Sequence, residues 1–167
     1  ASWYLAKNWT KRKQAEEVLF RKTKLIELLK EIAITANEAS TVDEAIQVCL
    51  DKVCAYMGWP IGHVYLTDSK GSLLSSKLWH LENPQQFETF RKVTEATSFD
   101  PGIGLPGQVL VDGKPSWIPD VTKDSNFLRA KSAQDIGVKA GFALPMLEGK
   151  KVVAVLEFFS DETIEPD

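Results

Sequence analysis

Gly141-Phe142-Ala143-Leu144-Pro145-Met146-Leu147-Glu148-Gly149-Lys150-Lys151-Val152-Val153-Ala154-Val155-Leu156-Glu157-Phe158-Phe159 is the most informative stretch of this 167-residue chain. Glu148-Gly149-Lys150 is a turn between two apolar runs, so Lys139 to Leu147 and Lys151 to Phe159 read as a hairpin of two strands. The runs are apolar on both faces, and a sheet built from them needs covering on both sides. Ile61 to Thr67 and Leu73 to Leu81 read as a second pair of strands around Asp68-Ser69-Lys70-Gly71. Hairpin connections imply an antiparallel sheet, and the chain reads as an α+β layered domain.

The elements outside the strands supply the two covers. From about Lys11 to Ala39 there is no Gly or Pro, and Val18, Leu25, Leu29, Ile32 and Ala36 follow one another at spacings of seven, four, three and four. That is a seam of a and d positions, interrupted where Lys22 falls on a d site. It suits pairing with a second copy of the chain. From Leu25 onward it suits burial on the chain's own sheet equally well. Thr41 and Glu44 form a capping box ahead of a second helix, which carries Ile46, Cys49, Leu50, Val53 and Met57 and ends at Gly58. Gln85 to Val93 reads as helical, a short helix spans about Leu105 to Val111, and a last helix begins at the C-terminus. Helices cover one face; the Gly- and Pro-rich middle, Asp100 to Asp124, covers the other and leaves a place for a pocket.

With 44% hydrophobic and 26% charged residues, the composition is that of a globular domain with a core. No apolar run reaches the ~20 residues of a membrane span, and the start around Trp3, Lys7 and Trp9 lacks a secretory h-region. Cys49 and Cys54 sit five apart on a helix, which points them away from each other and argues against a disulfide. A cytoplasmic location is the expectation. Residues 1–24 carry seven Lys/Arg against two Glu, a net of +5, which leaves −8 for the rest of a chain whose total is −3. A basic leader raises nucleic-acid or membrane-surface contact; the reading adopted is a solvated helical linker contacting neither.

Gly102-Ile103-Gly104-Leu105-Pro106-Gly107-Gln108-Val109, then Gly113-Lys114-Pro115-Ser116-Trp117-Ile118-Pro119-Asp120-Val121, Asn126-Phe127-Leu128-Arg129-Ala130, Gly141-Phe142-Ala143-Leu144-Pro145-Met146 and Val153-Ala154-Val155-Leu156-Glu157-Phe158-Phe159-Ser160 occur in that order. Together they resemble the GAF domains of sensor histidine kinases, over about Leu25 to Ile164. The leader Trp3-Tyr4-Leu5-Ala6-Lys7 with Thr10 to Glu17 looks like the last strand of a PAS domain and its exit helix. The resemblance implies a six-stranded antiparallel sheet with helices on one face and a loop and short-helix pocket region on the other. It divides the chain into a linker or signalling helix with a PAS remnant, 1–24, and a GAF domain, 25–167. It also implies a homodimer through terminal helices, adjacent PAS and kinase or other output domains, and a small-molecule ligand whose identity and cofactor class stay unknown. The alternative is a ligand-free dimerisation and relay module.

Trp79, Trp117, Phe127, Arg129 and Phe142 are the candidate ligand-binding residues, on the argument that aromatic walls with a few polar groups make small-molecule sites. Arg129 suits a bidentate grip on an acidic ligand group; a surface pair with Asp124 or Asp135 is its default. His63 and His80 lie in strands, where satisfied strand histidines are preferred over axial haem ligands. Without Cys or carboxylate at ligand spacing they define no zinc site. Gly102-x-Gly104-x-x-Gly107 matches the dinucleotide fingerprint formally, but Pro106 interrupts it and no βαβ unit surrounds it. Against the family's other options, neither cysteine is placed to attach a bilin and none lies where free methionine sulfoxide reductases need them. The cyclic-nucleotide signature is missing around Asn126-Phe127. No nucleophile elbow or kinase phosphoacceptor histidine is visible, so the expectation is a domain that is not an enzyme.

Overall fold

The computed structural model describes residues 1–130 and 137–165. Helix α1, Ser2–Glu38, precedes α2, Val42–Met57; then come β1, Ile61–Thr67, β2, Leu73–Leu81, α3, Glu88–Ala96, and α4, Gly104–Asp112. A short strand β3, Ser116–Ile118, and one 3-10 turn, Val121–Lys123, lead to the hairpin of β4, Gly141–Glu148, and β5, Lys151–Phe159. The sheet order is β2-β1-β5-β4-β3, and every neighbouring pair is antiparallel. The central pair, β1 and β5, comes from opposite ends of the domain, with Val64 across from Leu156.

Alternation along β5 shows why both faces are apolar. Val155, Glu157 and Phe159 face one layer with Tyr65 and Ile61 of β1, while Ala154, Leu156 and Phe158 face the other with Val64. The second layer is closed by α2, whose Ile46, Leu50 and Cys54 are buried against Leu156 and Phe158. Gly62 permits that approach: a Cβ there would stand 2.9 Å from Cys54 Sγ. Thr41 caps α2 as predicted, its Oγ1 accepting from Glu44 N at 3.1 Å, while Glu44 Oε2 accepts at 2.7 Å from the N–H of Ser40, one residue ahead of the cap, where a capping box would use Thr41. Gly58 ends α2 with φ 69°, the left-handed value that favours glycine. The first layer is closed by α3 through Phe90 and Thr94, by α4 through Leu105 and Val109, and by the irregular segment carrying Phe127.

Four features depart from the sequence reading. The described sheet has five strands, not six: the chain after α3 makes a single bridge, Leu73 to Phe99, before Pro101-Gly102 turns it away. Trp3 to Lys7, read as the end of a strand, lie inside α1. Nothing in those residues breaks a helix, and i,i+4 contacts such as Lys7 over Trp3 at 4.9 Å suit one. Residues 161–165 form no helix. Ser116–Ile118, read within the irregular middle, pairs with β4 and becomes the sheet edge. Helix α1 buries none of its residues completely in the single chain; it touches the domain through α2, with Lys52 Nζ 3.3 Å from Glu31 Oε2.

Candidate functional site

One polar cluster lies inside the first apolar layer. Glu157 points from the middle of β5 into that layer and is fully buried, a position where an ionised carboxylate needs a cation or several hydrogen-bond donors beside it. Arg129 supplies it. Its Nη1 donates to Glu157 Oε1 at 2.7 Å and its Nη2 to Glu157 Oε2 at 2.8 Å, a bidentate pair. Nη1 also donates to Thr94 Oγ1 of α3 at 3.1 Å, and Arg129 is 1% exposed. Five rings surround the guanidinium: Cζ lies 4.8 Å from the centroid of Phe127, 5.1 Å from Phe99, 5.3 Å from Phe90, 5.4 Å from Phe159 and 5.9 Å from Tyr65.

His63 of β1 sits beside this pair. Its Nε2 contacts Ser75 Oγ at 2.8 Å; its Nδ1 stands 3.3 Å from Glu157 Oε1, off the line of a hydrogen bond and without another partner among the described residues. Burial lowers the His63 pKa, outweighing the upward pull of Glu157, so the ring is neutral. Burial also pushes Glu157 up, but the Arg129 charge and its hydrogen bonds win and hold the carboxyl below its ordinary value. Arg129 is raised in turn: burial acts against its charge and Glu157 overcomes it. Both are ionised in the fold.

The network continues outward. Trp79 of β2 lies against His63 with ring centroids 4.1 Å apart and donates from Nε1 to Glu95 Oε1 at 3.0 Å. The carbonyl of Trp79 accepts from Gln47 Nε2 of α2 at 2.8 Å. Next to it, His80 Nδ1 is 2.8 Å from Asp51 Oδ1, also on α2. A contiguous path therefore runs from the buried pair through β1 and β2 to α2, and through Lys52 and Glu31 to α1.

The five candidate ligand residues do not converge on one pocket. Trp79, Phe127 and Arg129 share the first layer. Trp117 and Phe142 stack on each other at 5.4 Å in the second, under Trp59. Trp117 also borders a surface cleft of about 180 Å³ with Leu105, Gln108 and Asn126. Arg129 does not form a surface pair with Asp124; Asp135 lies outside the described residues. The reason is energetic: a bidentate partner in the interior outcompetes a solvated one. Sequence reasoning missed Glu157 and Thr94. The available signal was a lone carboxylate in the run Val152–Phe159, which a strand covered on both faces has to neutralise.

Among the described residues no group of three or more His, Cys, Asp and Glu could hold a metal, and no helix is long and apolar enough to cross a membrane. The family model for the GAF domain matches residues 39–166. Protein NLP9 of Arabidopsis thaliana is 35% identical over 95 residues, covering 54% of this chain and 10% of that protein. The chain thus spans about a tenth of the length of this curated relative. The A. aeolicus nlh2 GAF domain in an inactive state superposes with a TM-score of 0.66 at 22% identity, covering 83% of this chain and 80% of that one. Free methionine-R-sulfoxide reductase from Neisseria meningitidis gives 0.67 at 16% identity over 84% of this chain and 75% of its own. Identity at these levels speaks for the shared fold. On its strand order, its two covered sheet faces and the family match over most of its length, the chain belongs to the GAF domain family.

Proposed function

We propose that this domain is a sensory and regulatory module of a larger cytoplasmic signalling protein. A small molecule changes the packing around Arg129 and Glu157, and α2 and α1 pass the change to a kinase or other output domain. The observation that carries this reading is the fully buried Arg129–Glu157 pair, joined to α2 through His63, Trp79 and Gln47. A charge pair inside a packed core is strongly unfavourable when unmatched, so a ligand that changes its surroundings has a large effect on the packing of the layer. A helix continuous for 37 residues suits coupling of the domain to a neighbouring one.

The domain acts as a homodimer through α1. Val18, Leu25 and Leu29 of the seam are exposed in the single chain, as are Trp3, Trp9 and Phe20. A helix with that much uncovered apolar surface calls for a partner. Light scattering on the chain with and without residues 1–24 tests this; monomers in both remove the dimer. The domain performs no catalysis and contacts neither nucleic acid nor membrane. Its two cysteines are on α2, away from Arg129 and Glu157.

A second reading has one observation in its favour: the guanidinium of Arg129 occupies the interior itself. Under it the domain is a ligand-free relay. A thermal-shift screen of metabolites separates the two, since a ligand at a hundredfold excess over its Kd contributes about 2.7 kcal/mol, or roughly 5–10 °C at this size. Unfolding that no compound shifts decides for the relay.

A further inference from the structure

We propose that the interior around Glu157 is a receptor for a small organic cation, a guanidinium or methylated ammonium, and that Arg129 is a built-in occupant which the ligand displaces. The proposal rests on the sensory reading above and names its ligand class. Five aromatic faces and one carboxylate around a single charged group are the elements with which proteins recognise such cations. Here they are arranged about a side chain of the protein itself.

Receptor and occupant are built differently. Tyr65 stands on β1, Glu157 and Phe159 on β5, Phe90 and Thr94 on α3, all regular elements packed in the core. Arg129 rides on an irregular stretch after the 3-10 turn. That stretch is held by its own short bonds, Phe127 N to Asp124 O and Ala130 N to Phe127 O, and by Asn126 Oδ1, which accepts from Gly104 N at 3.1 Å. The occupant is also incompletely satisfied, because Arg129 Nε is buried with no partner among the described residues.

Once Arg129 has left, the chemistry of the cage disfavours the other ligand classes. An anion meets the ionised Glu157 at close range. A neutral molecule that displaces Arg129 leaves that carboxylate buried without a counter-charge. A divalent metal requires several oxygen ligands, and the cage offers one carboxylate and the hydroxyls of Thr94 and Tyr65, the latter already donating to the Thr94 carbonyl. A planar guanidinium reproduces both hydrogen bonds to Glu157 and the contacts with the four rings off the displaced stretch, Tyr65, Phe90, Phe99 and Phe159. Because Arg129 competes with it, affinity is reduced by the fraction of molecules in which the cage is open. Displacement frees the segment that carries Phe127 and unpacks the layer beneath Trp79, where the route to α2 starts.

The test compares wild type, Arg129→Ala and Arg129→Ala/Glu157→Gln by thermal unfolding in methylguanidinium chloride, with sodium chloride and sodium acetate as controls. Arg129→Ala is expected to gain about 3 °C or more in millimolar methylguanidinium and nothing from acetate, wild type to gain less, and the double variant to lose the response. Stabilisation by acetate, or a response that survives in the double variant, overturns the cation assignment. If methylguanidinium is without effect while a metabolite screen shifts wild type, the ligand class falls and the sensory reading stands. If nothing shifts either protein, both fall. Should Arg129→Ala not fold, the Arg129 Nε–H resonance of wild type decides: a shift on titration supports displacement, and an unmoved resonance at about 50 mM methylguanidinium overturns it.

Discussion

Replacing Glu157 by Gln keeps the shape of the side chain and removes its charge, leaving the Arg129 guanidinium buried with one neutral acceptor in place of two charged ones. Breaking a buried pair by neutralising one member costs about 3–5 kcal/mol. The five rings around Cζ still attract the cation, which places the loss toward the lower end of that range. At this chain length each kcal/mol corresponds to about 2–4 °C, so a loss of about 3–4 kcal/mol lowers Tm by roughly 6–16 °C. Arg129→Met, which strands the carboxylate instead, is expected to cost as much or more. The two substitutions combined remove both charges, and their joint cost should be at least about 2 kcal/mol below the sum of the single costs. Urea unfolding followed by circular dichroism at low and high salt measures all three variants. Exposed pairs are worth about 0–1 kcal/mol and are screened by salt. A Glu157→Gln loss below about 1 kcal/mol, additive costs in the double variant, or a loss that halves in high salt would each refute a buried, coupled pair.

Acid should destabilise the fold earlier than ordinary carboxylates require. His63 has a pKa in the fold below its ordinary value of 6.5, so the unfolded chain takes up the proton first and stability drops as pH falls below about 6.5, by up to about 1.4 kcal/mol per unit. Glu157, also lowered, adds a further loss as pH passes below its ordinary 4.5; urea titrations of His63→Gln should lack the first slope and keep the second. Cys54, with its thiol pushed up to about 12 by burial and by Asp51, should stay unmodified by a thiol reagent at neutral pH until the protein unfolds. Gly107→Ala should lose about 1–3 kcal/mol by chemical denaturation, since its Cβ would collide with the backbone oxygen of Asp100 and neither side can yield cheaply. Thr41→Ala should cost about 1 kcal/mol through the lost cap of α2, with the sheet layers unchanged.

How far the sequence discloses the site turns on the hairpin of β4 and β5. Its existence, its two covered faces and the capped helix beneath it follow from patterns within a few residues, and the structure has all three. Which side chains share a face is a finer matter, because a shift of one residue moves every side chain across the sheet. Counting back from the turn pair Glu148 and Lys151 sets Phe142 opposite Glu157, on the face of Arg129, which agrees with a ligand role for Phe142. In the structure a register shift between Met146 and Leu147 moves the pairing by one, and Phe142 stands opposite Phe158. Its ring then stacks on Phe158 and Trp117 beneath Trp59, in the layer closed by α2. Pro145, which lacks an N–H, stands next to the irregularity and is the local hint of it. The partner of Glu157 had no comparable hint, because Arg129 is 28 residues away and reaches it only after β1 and β5 have paired and the irregular segment has folded over them. Elements are written in short-range pattern, whereas this site is written in register and topology, so a charge in an apolar strand announces that a partner exists without saying where it comes from.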